Sequence, residues 1–326
     1  MKGDIVKEYL DKFAELPSLT LARTIYKRHP EAFKDVEDAR QVIRYYRGSK
    51  GSENRKKQEG SKYLTEHAEE FRKFFGLVEG EREIDYKPYI LPKANNRILI
   101  LSDIHLPYHD REAVCDALNY GKEKKVNTII LNGDILDFYQ ASYFVKDPRN
   151  RDLQYEVDVA IDFFQGLRDN FPNALIVYKI GNHEERYEKY LMQKAPELLN
   201  LDVWDIESVL RLHECNIQLV KDKRVIKVGE LNIIHGHEIT RGTSSPVNPA
   251  RTFFLKAKTN VIGGHLHRTS EHISKDLDDS IIGAWSTGCL CDLHPKYAPQ
   301  NEWNHGYAYV SVNDNGSFWV MNRKIL

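Results

Sequence analysis

Five short apolar runs in the larger, second part of the chain each stop at a residue that carries an oxygen or nitrogen donor. The runs are RILILSD, NTIILNGD, ALIVYKIGN, ELNIIHG and NVIGGH. The first ends at Asp103, with His105 two residues on; the second at Asp134, with Asp137 three on; the third at Asn182 and His183. The fourth ends at His235, with His237 two on, and the fifth at His265, with His267 two on. Helical patterns over Arg111–Lys125, Tyr155–Asn170 and Glu184–Gln193 separate the first three runs and follow the third. Short apolar runs alternating with longer helical stretches predict a layered α/β domain. In such sheets the carboxyl ends of strands form the ligand-binding crevice, so five ends of this kind gather their polar residues at one edge.

Without a ligand that gathering is costly. Packed carboxylates repel one another, and each buried polar group left unpaired costs several kcal/mol. Divalent cations remove the penalty. The donors are carboxylate oxygen, amide oxygen and imidazole nitrogen without thiolate, which favours Mn²⁺, Fe or Zn²⁺ over a structural cysteine site. More than six candidate ligands exceed what one ion takes, and suit two ions about 3.5–4 Å apart that share a carboxylate. Each signal taken alone is bland: a strand-end Asp usually caps a helix or a turn, and a lone His-x-His pair is usually solvated. Five consecutive run ends of the right chemistry are what single out the metal reading. In NVIGGHLHRT a period-two strand end sends His265 and His267 to the same side, and Gly263 and Gly264 leave room for the approach.

The blocks SDIH, NGDILD, GNHEE, IHGH and GGHLH, in this order over roughly Arg97–Arg268, resemble the calcineurin-like metallophosphoesterases, whose pattern is DxH, GDxxD, GNH(E/D), H and GHxH. The resemblance implies a four-layered αββα sandwich with the site at one sheet edge. It implies that Asp103, His105, Asp134 and His267 hold one metal, and that Asp134, Asn182, His235 and His265 hold the other, with Asp134 bridging. Within HGH, His235 directly ends the run and is the preferred ligand, which leaves His237 to face substrate or to serve structure. The metal is expected to be Mn²⁺, with Fe or Zn²⁺ as alternatives.

Two cations activate a bound water and neutralise phosphoryl oxygens. The leaving alkoxide then needs a proton, and His183 is placed to give it, as the matching family histidine is. Asp137 is expected to orient His183 and keep it protonated. Glu184 reads as a charge at a helix N-terminus. Arg186 and Arg241 lie within six residues of a candidate ligand and suit phosphate contact. Tyr108, His109 and Arg268 are further rim candidates. Cys289 and Cys291 read as small buried side chains.

Composition matters mainly for the N-terminal part. Net charge is −1 over the 326 residues, so no global bias toward polyanions exists. Residues 1–62, however, hold fifteen Lys/Arg against ten Asp/Glu, a local +5. Residues 1–50 read as a helical, helix-turn-helix-like module: Ile5, Tyr9, Leu10, Phe13 and Leu16 recur at helical spacing, and two further helices follow behind Ser18 and Asp35 as caps. Residues 51–95 read as a linker and connecting helix, and 96–326 as the phosphoesterase domain, ending in a hairpin turned at NDNG. Arg40, Arg44, Arg47 and Lys50 form a basic helix and arm suited to a phosphate backbone.

The N-terminus shows no apolar signal core, no run reaches the length of a membrane span, and the four cysteines form no CxxC pair. The expectation is a soluble cytoplasmic protein, similar to phage and mobile-element phosphoesterases, with oligomeric state left open. Its expected activity is phosphodiester hydrolysis in nucleic acid, as a DNA nuclease-like enzyme. One alternative is a phosphomonoesterase or small-nucleotide phosphodiesterase whose N-terminal helices serve assembly. Another is a non-catalytic DNA-binding regulator, against which five intact blocks count.

Overall fold

The computed structural model describes residues 2–47, 86–144, 147, 152–240 and 247–326. The chain divides into two compact units, Met1–Ile84 and Asp85–Leu326. Residues 51–85 of the predicted linker and connecting helix lie outside the described residues, whereas 86–95 belong to the second unit and include a strand at Tyr89–Ile90.

In the first unit, α1 (Lys2–Lys12), α2 (Ser18–Arg28) and α3 (Val36–Arg47) close on a core of Val6, Tyr9, Phe13, Leu21, Ala22, Ile25, Phe33, Ala39 and Ile43. The stripe on α1 is rotated from the expected one: Val6 is sealed, while Ile5, Leu10 and Leu16 only pack against the core. Asp35 caps α3, its Oδ1 accepting from the Asp38 amide at 2.8 Å. Ser18 does not cap α2. Pro17 holds the cap position, and the Ser18 hydroxyl accepts from Arg47 Nη1 at 2.9 Å instead.

The second unit is a sandwich of two mixed six-stranded sheets. One has the order β12-β11-β2-β3-β4-β5: β12 is Phe318–Lys324, β11 Gly306–Val312, β2 Arg97–Leu101, β3 Thr128–Asn132, β4 Leu175–Lys179 and β5 Ile217–Val220. The other is β1-β6-β7-β8-β10-β9: β1 is Tyr89–Ile90, β6 Ile226–Val228, β7 Leu231–Ile233, β8 Val261–Gly263, β10 Ile281–Ser286 and β9 Ser270–Lys275. Strands β2, β3, β4 and β5 run parallel. Parallel neighbours need crossovers; α4 (Arg111–Glu123) and α5 (Leu153–Asn170) supply the first two.

Strand alternation explains the unbroken apolar runs. In β2, Leu99 and Leu101 face α4 and α5, where Ala117, Phe164 and Leu167 complete a core. Ile98 and Ile100 face the other sheet, meeting Ile226, Leu231, Ile233 and Ile262. A strand buried on both faces reads as continuous Val/Ile/Leu, and each such side chain contributes about 1.5–3 kcal/mol. On the far face of the second sheet, a helix at Pro249–Ala257 sets Phe253 against Ile234, Val261 and Ala284. The layers are therefore helix, sheet, sheet, helix. The tail hairpin forms as expected, pairing Val312 with Phe318 around the NDNG turn.

Candidate active site

The ends of β2, β3 and β4 in one sheet, and of β7 and β8 in the other, converge. Asp134 is the hub. Its Oδ2 lies 3.2 Å from His235 Nε2, 3.8 Å from His183 Nε2 and 4.0 Å from His105 Nε2. Asp103 Oδ1 lies 3.2 Å from His267 Nε2, and the Nε2 atoms of His105 and His267 are 3.3 Å apart. Asn182 Oδ1 lies 3.2 Å from His235 Nε2.

These residues form two overlapping donor groups able to hold ions: Asp103, His105 and Asp134, with His267 adjoining, and Asp134, His235 and His265, with Asn182 adjoining. Asp134 belongs to both. His235 rather than His237 reaches the cluster; His237 Nε2 is 3.0 Å from Glu185 Oε1.

The second ring nitrogens are held elsewhere. His235 Nδ1 donates to the Asn132 carbonyl at 2.7 Å, and His105 Nδ1 meets Asp137 Oδ1 at 3.2 Å. His267 Nδ1 lies 3.9 Å from the Cys291 sulfur. Such partners fix ring orientation and turn Nε2 toward the cluster.

Backbone strain marks the same positions. Asp103, His105, Asp134, His265 and His267 all have φ between 51° and 68°. The left-handed region costs a non-glycine residue about 1–2 kcal/mol, and such strain clusters at functional sites. This also corrects the strand-alternation account of His265 and His267. Strand β8 stops at Gly263, and two left-handed residues beyond it aim the imidazoles. Gly264 does provide the expected room: a Cβ there would collide with Ser102 Oγ and Asp103 Oδ2.

Glu184 does far more than charge a helix terminus. Buried at the start of α6 (Glu184–Lys194), its carboxylate accepts from the amides of Asp134 (3.0 Å), Ile135 (2.7 Å), Leu136 (3.2 Å) and Gly181 (2.8 Å), and from the Tyr178 hydroxyl (2.8 Å). It ties the loop after β3 to the loop after β4.

His183 Nδ1 lies 2.8 Å from the Asp137 carbonyl oxygen and 3.2 Å from its carboxylate, which His105 shares. Arg186 Nη2 donates to His183 Nε2 at 2.8 Å, and Nη1 to the Asp137 carbonyl at 3.0 Å. Asp137 meets the His183 ring through both its carbonyl and its carboxylate, and Nε2 accepts from Arg186 in this arrangement.

Of the remaining expected contacts, Arg268 pairs with Glu302 at 2.6 Å and donates to the Val247 carbonyl. Arg40 pairs with Glu37 at 3.2 Å. Arg47 turns back into its own unit, onto Ser18 and the Ala14 carbonyl, leaving Arg44 as the exposed member of the three arginines. Arg241 and Lys50 lie outside the described residues. Cys289 and Cys291 are buried as expected, but Cys291 walls the site beside His267, which the sequence pattern did not reveal.

The electrostatics fit cation binding. Burial disfavours charge on these groups, yet the mutual attraction of carboxylates and imidazoles prevails. It holds Asp103 down to about 2 against the His267 charge, and pushes His267 and His235 up to about 10 against Asp103 and Asp134. His265, buried and beside His235, is pushed down to about 4. Protons and cations compete for such nitrogens. The carboxylate neighbours of His235 and His267 favour their protonated forms, so a metal must compete with protons there. Loading with Mn²⁺ is therefore expected to release protons, and affinity is expected to rise with pH. Calorimetry in buffers of different ionisation enthalpy measures the release, and none would contradict the assignment.

The chain belongs to the calcineurin-like phosphoesterase family, whose pattern its residues 96–269 match. The family hydrolyses phosphoesters with bound divalent metals, usually two. Gene 54 protein of Mycobacterium phage L5 is 23% identical over 232 residues, covering 67% of this chain and 90% of the relative. Among solved structures, a dimetal phosphatase from Danio rerio matches with a TM-score of 0.38 and 10% identity, over 71% of this chain and 96% of the other. Vacuolar protein sorting 29 from Cryptosporidium parvum matches with a TM-score of 0.33 and 12% identity, over 71% and 97%. Among the described residues no helix is long and apolar enough to cross a membrane.

Proposed function

We propose that this chain is a dinuclear phosphodiesterase acting on nucleic acid. The observation that carries the metal part is the pair of donor groups meeting at Asp134. In this reading Asp103, His105, Asp134 and His267 hold one ion, and Asp134, Asn182, His235 and His265 the other. The set of carboxylate, amide and imidazole donors suits Mn²⁺, Fe or Zn²⁺. When bound, such a pair supplies an activated water and neutralises phosphoryl charge.

The protein's own groups handle the leaving side. Arg186 offers a planar fork suited to two phosphoryl oxygens. An incoming phosphate competes for that guanidinium and frees His183 Nε2. His183, held through Nδ1 by Asp137, then takes a proton from solvent at Nε2 and delivers it to the departing alkoxide, returning to the neutral imidazole. Support for a nucleic-acid substrate comes from the N-terminal part: residues 1–62 carry a local +5, and in α3 the exposed Arg44 stands beside Tyr45, which is 79% exposed. An exposed cation beside an exposed ring suits a phosphate backbone with accessible bases.

A substrate panel with Mn²⁺ tests the reading: single-stranded DNA, duplex DNA, bis-p-nitrophenyl phosphate and p-nitrophenyl phosphate. Hydrolysis of DNA and the diester is expected; activity on the monoester alone would sink it. His183→Ala is expected to lose about 10²–10⁴-fold on poor leaving groups while keeping its metals, and metal loss in that variant would refute the acid role.

A further inference from the structure

Beside the cluster lies a cavity of about 230 Å³ whose lining includes His105 and Asp137. Three aromatic side chains line it: Tyr108, Tyr297 and Trp303. Asp292 and Lys296 stand on its wall. We propose that this cavity receives the nucleobase of the leaving nucleotide. The substrate class is then a nucleoside phosphodiester whose leaving side carries an unpaired base. The inference rests on the phosphodiesterase reading above.

Position sets the side of the substrate. His105 and Asp137, which the cavity reaches, are also the residues against which His183 packs: the His105 and His183 rings are 4.4 Å apart, and His183 Nδ1 sits on Asp137. A group departing with the proton from His183 leaves toward this cavity.

Size and chemistry set the occupant. Pockets for drug-sized ligands span about 300–1,000 Å³, so this one suits a single ring system. Aromatic walls stack any base, since every base has a π face. Asp292 offers acceptors and Lys296 donors, the pair of functions a base edge reads. A base held in a duplex must first leave its stack to enter.

The cavity wall is built rather than incidental. Asp292 N donates to the Tyr108 carbonyl at 2.8 Å, and Asn301 Nδ2 bridges the Leu293 and Ala298 carbonyls at 2.7 Å each. Trp303 N donates to Asn301 Oδ1 at 2.8 Å. The Trp303 ring lies edge-on against His267 at 4.1 Å and 6.2 Å from Tyr297. The stacking platform is thereby fixed to a candidate metal ligand, so a base in the cavity and a phosphate at the cluster are held in register.

The test uses the full chain with Mn²⁺ and thymidylyl-thymidine, with each nucleoside replaced in turn by an abasic tetrahydrofuran. Loss of the base on the leaving side, identified from the products, is expected to lower kcat/KM about tenfold or more, mainly through KM. Tyr297→Ala and Trp303→Ala are expected to bring that base-to-abasic ratio near one, and Trp303→Phe to recover part of it. A ratio near one on the leaving side in the unaltered chain, or one that survives both alanine variants, overturns the proposal. If no nucleoside diester is cut, adenosine titration followed by tryptophan fluorescence separates the two claims. Quenching that Trp303→Phe abolishes supports the base site and assigns the failure to the diester reading; no quenching overturns the base site itself.

Discussion

Asp134→Ala is expected to abolish turnover and to reduce metal content together. The carboxylate is within 4.0 Å of His105, His183 and His235, and it belongs to both donor groups. Its removal leaves the histidines without the charge that draws cations to them. Metal-supplied stabilisation amounts to several kcal/mol, so activity on bis-p-nitrophenyl phosphate should fall by more than about a thousandfold. Plasma emission analysis of dialysed protein should show the loss of at least one ion per chain. Retention of the full metal complement would remove Asp134 from its bridging role. The fold should survive, because the sheets beneath are closed by apolar layers on both faces.

Glu184→Ala is expected to be among the most destabilising single changes in the second unit. Four backbone amides and the Tyr178 hydroxyl would lose their acceptor in a buried place. Stranding buried donors costs about 1–3 kcal/mol each, and partial rehydration through the new space tempers the sum to about 3–5 kcal/mol. For a unit of this size that lowers Tm by roughly 10 °C. Glu184→Gln keeps the shape but turns an amide NH₂ toward N–H donors, so it should recover only part of the loss. Both variants should also bind metal more weakly, since the bonds to the Asp134 and Gly181 amides hold two ligand loops in register. A thermal scan without added metal isolates the stability effect. A shift of under a degree or two would show that the five bonds are replaceable.

Much of the site was legible because strands and chemistry share a grammar. A strand buried on both faces must be apolar throughout, so the first polar residue beyond β2, β3 or β4 stands out, and parallel neighbours put those residues at one edge. What stayed hidden depends on geometry that no side-chain pattern encodes. His265 and His267 sit beyond the end of β8 in left-handed conformations, so period two gave their direction for the wrong reason. Glu184 acts on backbone amides nearly fifty residues away in sequence, and backbone donors look alike at every position. Arg47 shares a helical face with Arg44, yet a turn of the neighbouring helix pair offers it acceptors and draws it inward. Cys291, Tyr297 and Trp303 come from a loop with no periodicity, and only folding brings them against His267 and His105.

The most direct test of the proposed dinuclear phosphodiesterase activity is equilibrium Mn²⁺ titration of the full chain, with bound metal and bis-p-nitrophenyl phosphate hydrolysis followed on the same samples. Two ions per chain are expected, with hydrolysis appearing as the second is bound. Saturation at a single ion, or full hydrolysis before any ion is bound, would contradict it.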